Sequence, residues 1–280
     1  MKGGCIDKYF IYLSYKINMR LSISNIAWES KDDFKVYKLM EKYGYEGLEI
    51  APTRIFSEQP YKKLIEAKIW YEELNRKYAF IISSIQSIWF GRKENIFNSI
   101  DERRVLEEYT KQAIDFAATI GCKNLVFGCP KNRNLIEGSN EEIAVDFFKL
   151  LGNYAYEKGT TIGMEANPTI YNTNYINDTK SALNLIQRVN SKGFLLNLDL
   201  GTILQNNESL CELEGKVKYI NHIHISEPEL KIIKKRELHK QLRKILINEN
   251  YKSFISIEMS KIKNINDLER VMQYIREVFK

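Results

Sequence analysis

The chain has 280 residues, of which 42 are basic and 36 acidic, for a net charge of +6. That length can bury a large core and suits one β/α barrel, which commonly runs to about 250 residues. The charges are spread evenly rather than gathered into a basic stripe, which argues against nucleic acid as a partner, and no apolar run approaches the roughly 20 residues that cross a bilayer.

Four cysteines, Cys5, Cys122, Cys129 and Cys211, show no C-x-x-C spacing. Their pattern fits a reducing, cytoplasmic compartment and argues against a disulfide framework or a structural zinc site. Residues 1–18 read as an N-terminal extension outside the barrel, which is then a single domain over residues 19–280. The densest basic run, Lys231 to Arg236, reads as a loop rim that could also attract an anion.

From Met19 onward strands and helices alternate. Leu21 to Ala27 reads as a first strand, and Ser30 to Asp33 opens a helix that ends at Gly44. Glu46 to Ile50 is a second strand, broken at Pro52. A helix over Tyr61 to Lys77, a strand from Ala79 to Ile85 and a helix from Asp101 to Ile120 follow, the last closing on Gly121. Asn124 to Gly128 is strand four, Asn140 caps a helix reaching Lys158, and Thr161 to Glu165 is strand five.

The second half keeps this rhythm. A helix over Asn177 to Val189 precedes the strand Leu195 to Asp199, a weaker helix over Glu208 to Val217 and the strand from Tyr219. A helix over Arg236 to Asn248, the strand Phe254 to Glu258 and a helix over Ile265 to Phe279 complete eight βα units. Eight units close a TIM barrel of the α/β class, whereas an open doubly wound sheet would show fewer strands and a glycine-rich first turn. No phosphate cradle, nucleophile elbow or H-E-x-x-H pair is found.

Side chains alternate faces along a strand, so His222, His224 and Ser226 share one side and Ile223 and Ile225 the other. Three further strands end on a carboxylate, at Glu165, Asp199 and Glu258, with small or polar residues in the same phase (Gly163, Asn197, Ser256) and apolar residues opposite. Helix-covered strands bury their outer faces, so the polar phase belongs inside, at the mouth of a barrel. Glu165, Asp199, His224 and Glu258 are therefore expected to converge. A satisfied core histidine or a buried salt bridge is the plain alternative for each of them taken alone.

In order, Glu165-x-Asn167, Asp199-x-Gly201, His222 to Pro228 and Ser256 to Met259 resemble the xylose isomerase-like TIM barrels of the sugar phosphate isomerase/epimerase group. So do Asn25 to Trp28, Gly47 to Ile50 and Phe127 to Arg133. The resemblance implies a divalent metal ion (Mn, Mg or Zn) bound by Glu165, Asp199, His224 and Glu258. It also implies that Glu165 and Glu258 flank the carbon where a proton is removed and returned, through a metal-stabilised enediolate. The expected activity is isomerisation or epimerisation of a small sugar or sugar derivative. Two alternatives stand beside it: a metal-dependent lyase resembling inosose dehydratase, and a non-catalytic carbohydrate-binding barrel.

Other positions are candidates of lesser weight. Glu49 ends strand two in the inward phase and could bond a substrate or a ligand residue. Arg133, with Asn132 and Lys131, follows strand four and could hold a phosphate or carboxylate, or form a rim salt bridge. Asn167, Trp28 and Trp89 stand near strand ends as substrate contacts, with packing as the alternative for the tryptophans. His222, Glu227 and His239 are expected to support the ligands. Relatives carry a histidine three residues after the strand-six aspartate, where this chain has Thr202. Three histidines are too few for the three-metal cluster of the related endonucleases. A homodimer would be in keeping with the resemblance.

Overall fold

The computed structural model describes residues 19–280; the N-terminal extension expected at 1–18 lies outside the described residues. Eight parallel strands close in sequence order into one barrel, the TIM barrel expected from the alternating pattern. The strands are β1 Arg20–Ser24, β2 Gly47–Ile50, β3 Ile81–Ile85, β4 Leu125–Phe127, β5 Ile162–Met164, β6 Phe194–Asp199, β7 Ile220–Ile225 and β8 Phe254–Ile257. Around them run α1 Asp33–Tyr43, α2 Pro52–Ile55, α3 Leu64–Tyr78, α4 Ile100–Thr119, α5 Glu142–Glu157, α6 Thr179–Val189, α7 Leu200–Asn206, α8 Glu237–Asn248 and α9 Ile265–Phe279. None of these helices is long and apolar enough to cross a membrane.

The two faces of the strands divide as their chemistry requires. Ile223 and Ile225 of β7, Ile255 and Ile257 of β8 and Ile162 and Met164 of β5 are fully buried against the helix layer. Inside, polar side chains bond one another across the lumen. Ser22 meets Ser83 at 2.6 Å, and the Asn124 amide donates to Ser84 at 2.9 Å. Pairing of buried donors and acceptors such as these lets polar side chains fill the lumen. Gly163 makes room for this layer, since a Cβ there would stand 2.7 Å from Asn124 Oδ1.

Register carries the polar phase from strand to strand. Asp199 lies beside His224 and Asn197 beside His222 on the β6–β7 pair, and His224 lies beside Ser256 on β8. The ladder slips between Leu48 and Glu49 and again between Leu196 and Asn197. Both slips fall directly before inward polar residues, where an irregularity re-aims the side chain that follows.

Three local expectations differ from the structure. β1 ends at Ser24 and Asn25–Ala27 form a 3-10 turn, with the Ser24 hydroxyl accepting from Ile26 N at 3.4 Å. Pro52 ends β2 as expected but also starts α2, where its missing N–H is no loss. The helix after β6 begins at Leu200, not near Glu208, because the Asp199 carboxylate accepts from Gly201 N and Thr202 N and caps it at once. The stretch around Glu208 to Val217 instead holds the 3-10 turn Leu210–Leu213 and the start of another, Val217–Tyr219.

Candidate metal centre at the barrel mouth

Glu165 follows β5, His224 lies near the end of β7 and Glu258 follows β8, so strand direction alone brings all three to the C-terminal end of the barrel. Their ligand atoms lie within 4.8 Å of one another. His224 Nδ1 is 2.9 Å from Glu165 Oε2 and 3.1 Å from Glu258 Oε2. The imidazole is 0% exposed, whereas Glu165 and Glu258 are 9% and 8% exposed, so the carboxylates form the side of the group nearest solvent.

The other ring nitrogen faces inward. His224 Nε2 is 3.1 Å from Glu49 Oε2, which His222 Nε2 also approaches, at 2.7 Å. Glu49, His222 and His224 form a second group of potential ligands, wholly buried, and Glu49 Oε1 has no hydrogen-bond partner. Burial pushes the Glu49 carboxyl up, but the charge of His224 and the bonds of both histidines outweigh it and hold Glu49 well below the usual range. Burial likewise disfavours a charged His224; Glu258, Glu49 and Glu165 together overcome this and raise its pKa well above the ordinary histidine value. His222, for which burial dominates, is shifted down. Burial, aided by the charges of Glu165 and Glu49, pushes the Glu258 carboxyl up to about 7 against the pull of His224.

Glu165 is held from three sides. Asn167 donates to its Oε1 at 3.0 Å and Asn197 to its Oε2 at 2.9 Å. Gly128 lies against the same carboxylate, and a Cβ there would come within 2.9 Å of Oε1. Arg133 is fully buried behind it, its guanidinium donating to Glu165 O at 2.9 Å, Asn167 Oδ1 at 2.9 Å and Ile176 O at 3.3 Å. The reach toward a phosphate or carboxylate expected of Arg133 is therefore replaced by bonds within the protein.

Asp199, beside His224 on the neighbouring strand, has both carboxylate oxygens engaged by other groups. Its Oδ1 bonds the Ser226 hydroxyl and accepts from Gly201 N at 3.3 Å. Its Oδ2 accepts from Thr202 N and Thr202 Oγ1, both at 2.9 Å. Asp199 thus caps α7, and the Thr202 hydroxyl, which adds a side-chain bond to the cap, is also 2.8 Å from Ala166 O. Burial and the charge of Glu165 raise the Asp199 pKa.

The remaining expected residues are scattered. Trp28 is buried beside the mouth, donates to Asp33 Oδ1 at 2.7 Å and lies under the Arg54 guanidinium at 5.3 Å. It lines a cleft of about 640 Å³ with Phe90 and Lys261. Trp89 points into the helix layer, bonding Thr110 Oγ1 at 2.8 Å and meeting Phe127 edge-on at 4.6 Å. Glu227 pairs with Arg236, accepting from its Nε at 2.7 Å, and so ties the β7 loop to the start of α8. His239 lies on α8, outside the barrel, with Nδ1 2.8 Å from the Tyr274 hydroxyl. Asn197 and Ser226 were legible as inward neighbours of Asp199 and His224, yet their bonds to Glu165 and Asp199 make them part of the site.

The donor set suits a hard or borderline divalent cation. Two carboxylates and one imidazole leave positions open for ligands from solvent or substrate. Two carboxylate oxygens crowd one ring nitrogen, whose single hydrogen can serve only one of them well. A cation at that point would satisfy both.

A closed eight-stranded parallel barrel with such a group at its C-terminal mouth defines the class. The chain belongs to the xylose isomerase-like TIM barrel family, whose sequence model matches residues 37–278. Among solved structures it is similar to 3-keto-D-glucoside 4-epimerase from E. coli, at 16% identity and TM-score 0.72, covering 92% of this chain and 99% of that one. It is also similar to D-psicose 3-epimerase from Clostridium cellulolyticum H10, at 15% identity and TM-score 0.72, covering 94% and 100%. The IOLI protein, solved with a zinc atom, matches at 15% identity and TM-score 0.69 over 93% and 96%. Comparison with curated protein sequences gives no match.

Proposed function

We propose that this protein is a divalent-metal-dependent isomerase or epimerase of a small sugar or sugar derivative, and that Glu165 and Glu258 exchange the proton at a carbon beside a carbonyl. The observation that carries this reading is the pair of carboxylates, each within about 3 Å of His224 Nδ1, at the open end of the barrel. Sugar epimerases among the similar structures support it.

Glu165, His224 and Glu258 would hold the cation, with Asp199 as a fourth ligand once it gives up its bond to Ser226. When bound, the ion would polarise the substrate carbonyl and make the neighbouring C–H acidic. The protein supplies the rest. Glu258, which burial raises to about 7 in the metal-free protein, would stand as a carboxylate beside the cation, the form a general base requires. Glu165 is oriented by Asn167 and Asn197 and accepts the proton from the carbon; transfer to and from opposite faces inverts the centre.

The test is metal analysis of the purified protein followed by proton exchange of ketoses in deuterium oxide. Incorporation of deuterium beside the carbonyl, lost in both Glu165→Gln and Glu258→Gln, is expected. Dehydration of a keto-cyclitol, or binding without exchange, would refute the proposed reaction.

A further inference from the structure

A cleft of about 690 Å³ lies between the loops after β4 and β5 and the helix α6. That volume falls in the range of about 300–1,000 Å³ typical of small-molecule sites. Its two loops are tied together: the side chain of Asn174, after β5, accepts from Leu135 N at 2.8 Å and donates to Leu135 O at 3.0 Å, in the loop after β4. None of the residues lining the cleft belongs to the Glu165, His224 and Glu258 group.

The lining selects a chemistry. Tyr175, in its wall, is 4% exposed, and its buried hydroxyl has no hydrogen-bond partner. Burial and the charge of Glu141 push this phenol up to about 12, so at neutral pH it keeps its hydrogen and remains a donor. The side-chain amides of Asn184 and Gln187, neighbours on one face of α6, also lack a partner among the described residues. Leu185 and Ile176 add a small apolar patch. The charged groups, by contrast, are engaged within the protein. Arg188, the one basic residue in the lining, meets Glu141 Oε2 at 3.3 Å and Glu142 Oε1 at 2.6 Å, and Asp178 Oδ1 accepts from Ser181 N at 2.7 Å. Free neutral donors and acceptors beside apolar side chains fit the hydroxyls and C–H face of a sugar; a phosphate or carboxylate would find no free cation.

The same cleft is joined to the metal centre by hydrogen bonds. Ile176, at φ 56°, holds a left-handed backbone that β-branched residues rarely adopt. Its carbonyl accepts from Asn167 N at 3.1 Å and from Arg133 at 3.3 Å. Asn177 donates to Asn167 O at 2.9 Å. Asn167 in turn donates to Glu165 Oε1, so two residues of the cleft wall fix the residue that orients Glu165.

We infer that this cleft is a second sugar site: it takes a neutral polyhydroxylated ligand, bonded by the Tyr175 hydroxyl and the amides of Asn184 and Gln187, and its occupation shifts cation affinity at Glu165 through Asn167. Only the shift in cation affinity rests on the function proposed above; recognition in the cleft does not. By linkage, the cation changes sugar affinity by the same factor.

The test is calorimetric titration of the full-length protein, with and without Mn2+, using methyl α-D-glucoside, sucrose, trehalose and myo-inositol. These probes have no free carbonyl, so none can enter the proposed reaction. At least one is expected to bind, and Tyr175→Phe and Gln187→Ala should each weaken it roughly three- to tenfold, the loss of one neutral hydrogen bond. Because the Tyr175 hydroxyl bonds nothing in the free protein, the phenylalanine variant should melt at or above the parent temperature. Saturation with the sugar that binds best should move the Mn2+ Kd about fivefold or more. Failure of all the probes to bind, or binding that neither variant weakens, overturns the site. An Mn2+ Kd that saturating sugar leaves unchanged overturns the relay to Glu165. A parent protein that takes up no Mn2+ sinks the proposed function and the relay together, while the two variants still decide the cleft.

Discussion

Replacing Glu49 with alanine removes the one acceptor that two buried imidazoles share. His222 Nε2 and His224 Nε2 lie 2.7 and 3.1 Å from the same oxygen, and the two histidines are 1% and 0% exposed, so water cannot take its place. A buried donor left without a partner costs about 1–3 kcal/mol. Two of them set the expected loss at about 3–5 kcal/mol, the range for breaking a buried pair by deleting one side. For a chain of this size that lowers the melting temperature by roughly 5–9 °C. The assay is a thermal melt of metal-free protein, joined to a Mn2+ titration in which affinity should fall about 10- to 100-fold as His224 loses its orientation. Glu49→Gln keeps the volume and one acceptor oxygen and should lose less. An alanine variant that melts within about 3 °C of the parent and binds Mn2+ equally well would show that neither histidine leans on Glu49.

Cation binding should release protons, because His224 and Glu258 are both shifted upward and must give up their protons to act as ligands. Mn2+ affinity should therefore rise between pH 6 and 8, and calorimetry in buffers of different ionisation enthalpy should count about one to two protons per ion near neutrality; a flat profile refutes this. Gly128→Ala pushes on Glu165 Oε1 and should weaken Mn2+ binding roughly tenfold with a stability change of about 1 kcal/mol or less, checked by titration and melting. Arg133→Leu strips donors from Glu165 O, Asn167 Oδ1 and Ile176 O and should cost about 3 kcal/mol in chemical denaturation, with no selective loss for anionic over neutral sugars. Burial lowers the pKa of His239 from 6.5 to about 4, so the unfolded chain takes the proton first and stability drains away as pH falls from 6.5 to 4. The loss amounts to about 3 kcal/mol, and His239→Gln should flatten that slope.

The barrel was legible because its strands advertise their two faces. Ile223 and Ile225 against His222 and His224 leave one way to orient β7, and the same parity places Glu165 and Glu258 at the mouth. Parity says less about a residue at the very end of a strand. Asp199 falls where strand becomes helix, and its carboxylate meets the first backbone N–H groups of α7 as readily as it could meet an ion. The same capping explains why the helix expected near Glu208 starts at Leu200. Loops have no period at all, so nothing in the order of residues could tell that Arg133 turns inward to Glu165 O while Trp89 turns outward to Thr110.

Glu49 belongs to β2 and its two histidines to β7, strands separated around the ring by β1 and β8. The bond that steadies the imidazole is therefore also a tie-rod spanning the bore of the cylinder. Losing this carboxylate would therefore loosen the walls as well as the imidazole, whether or not the proposed chemistry is retained. A relative that has fallen catalytically silent would be expected to keep Glu49 with His222 long after Glu165 and Glu258 had changed.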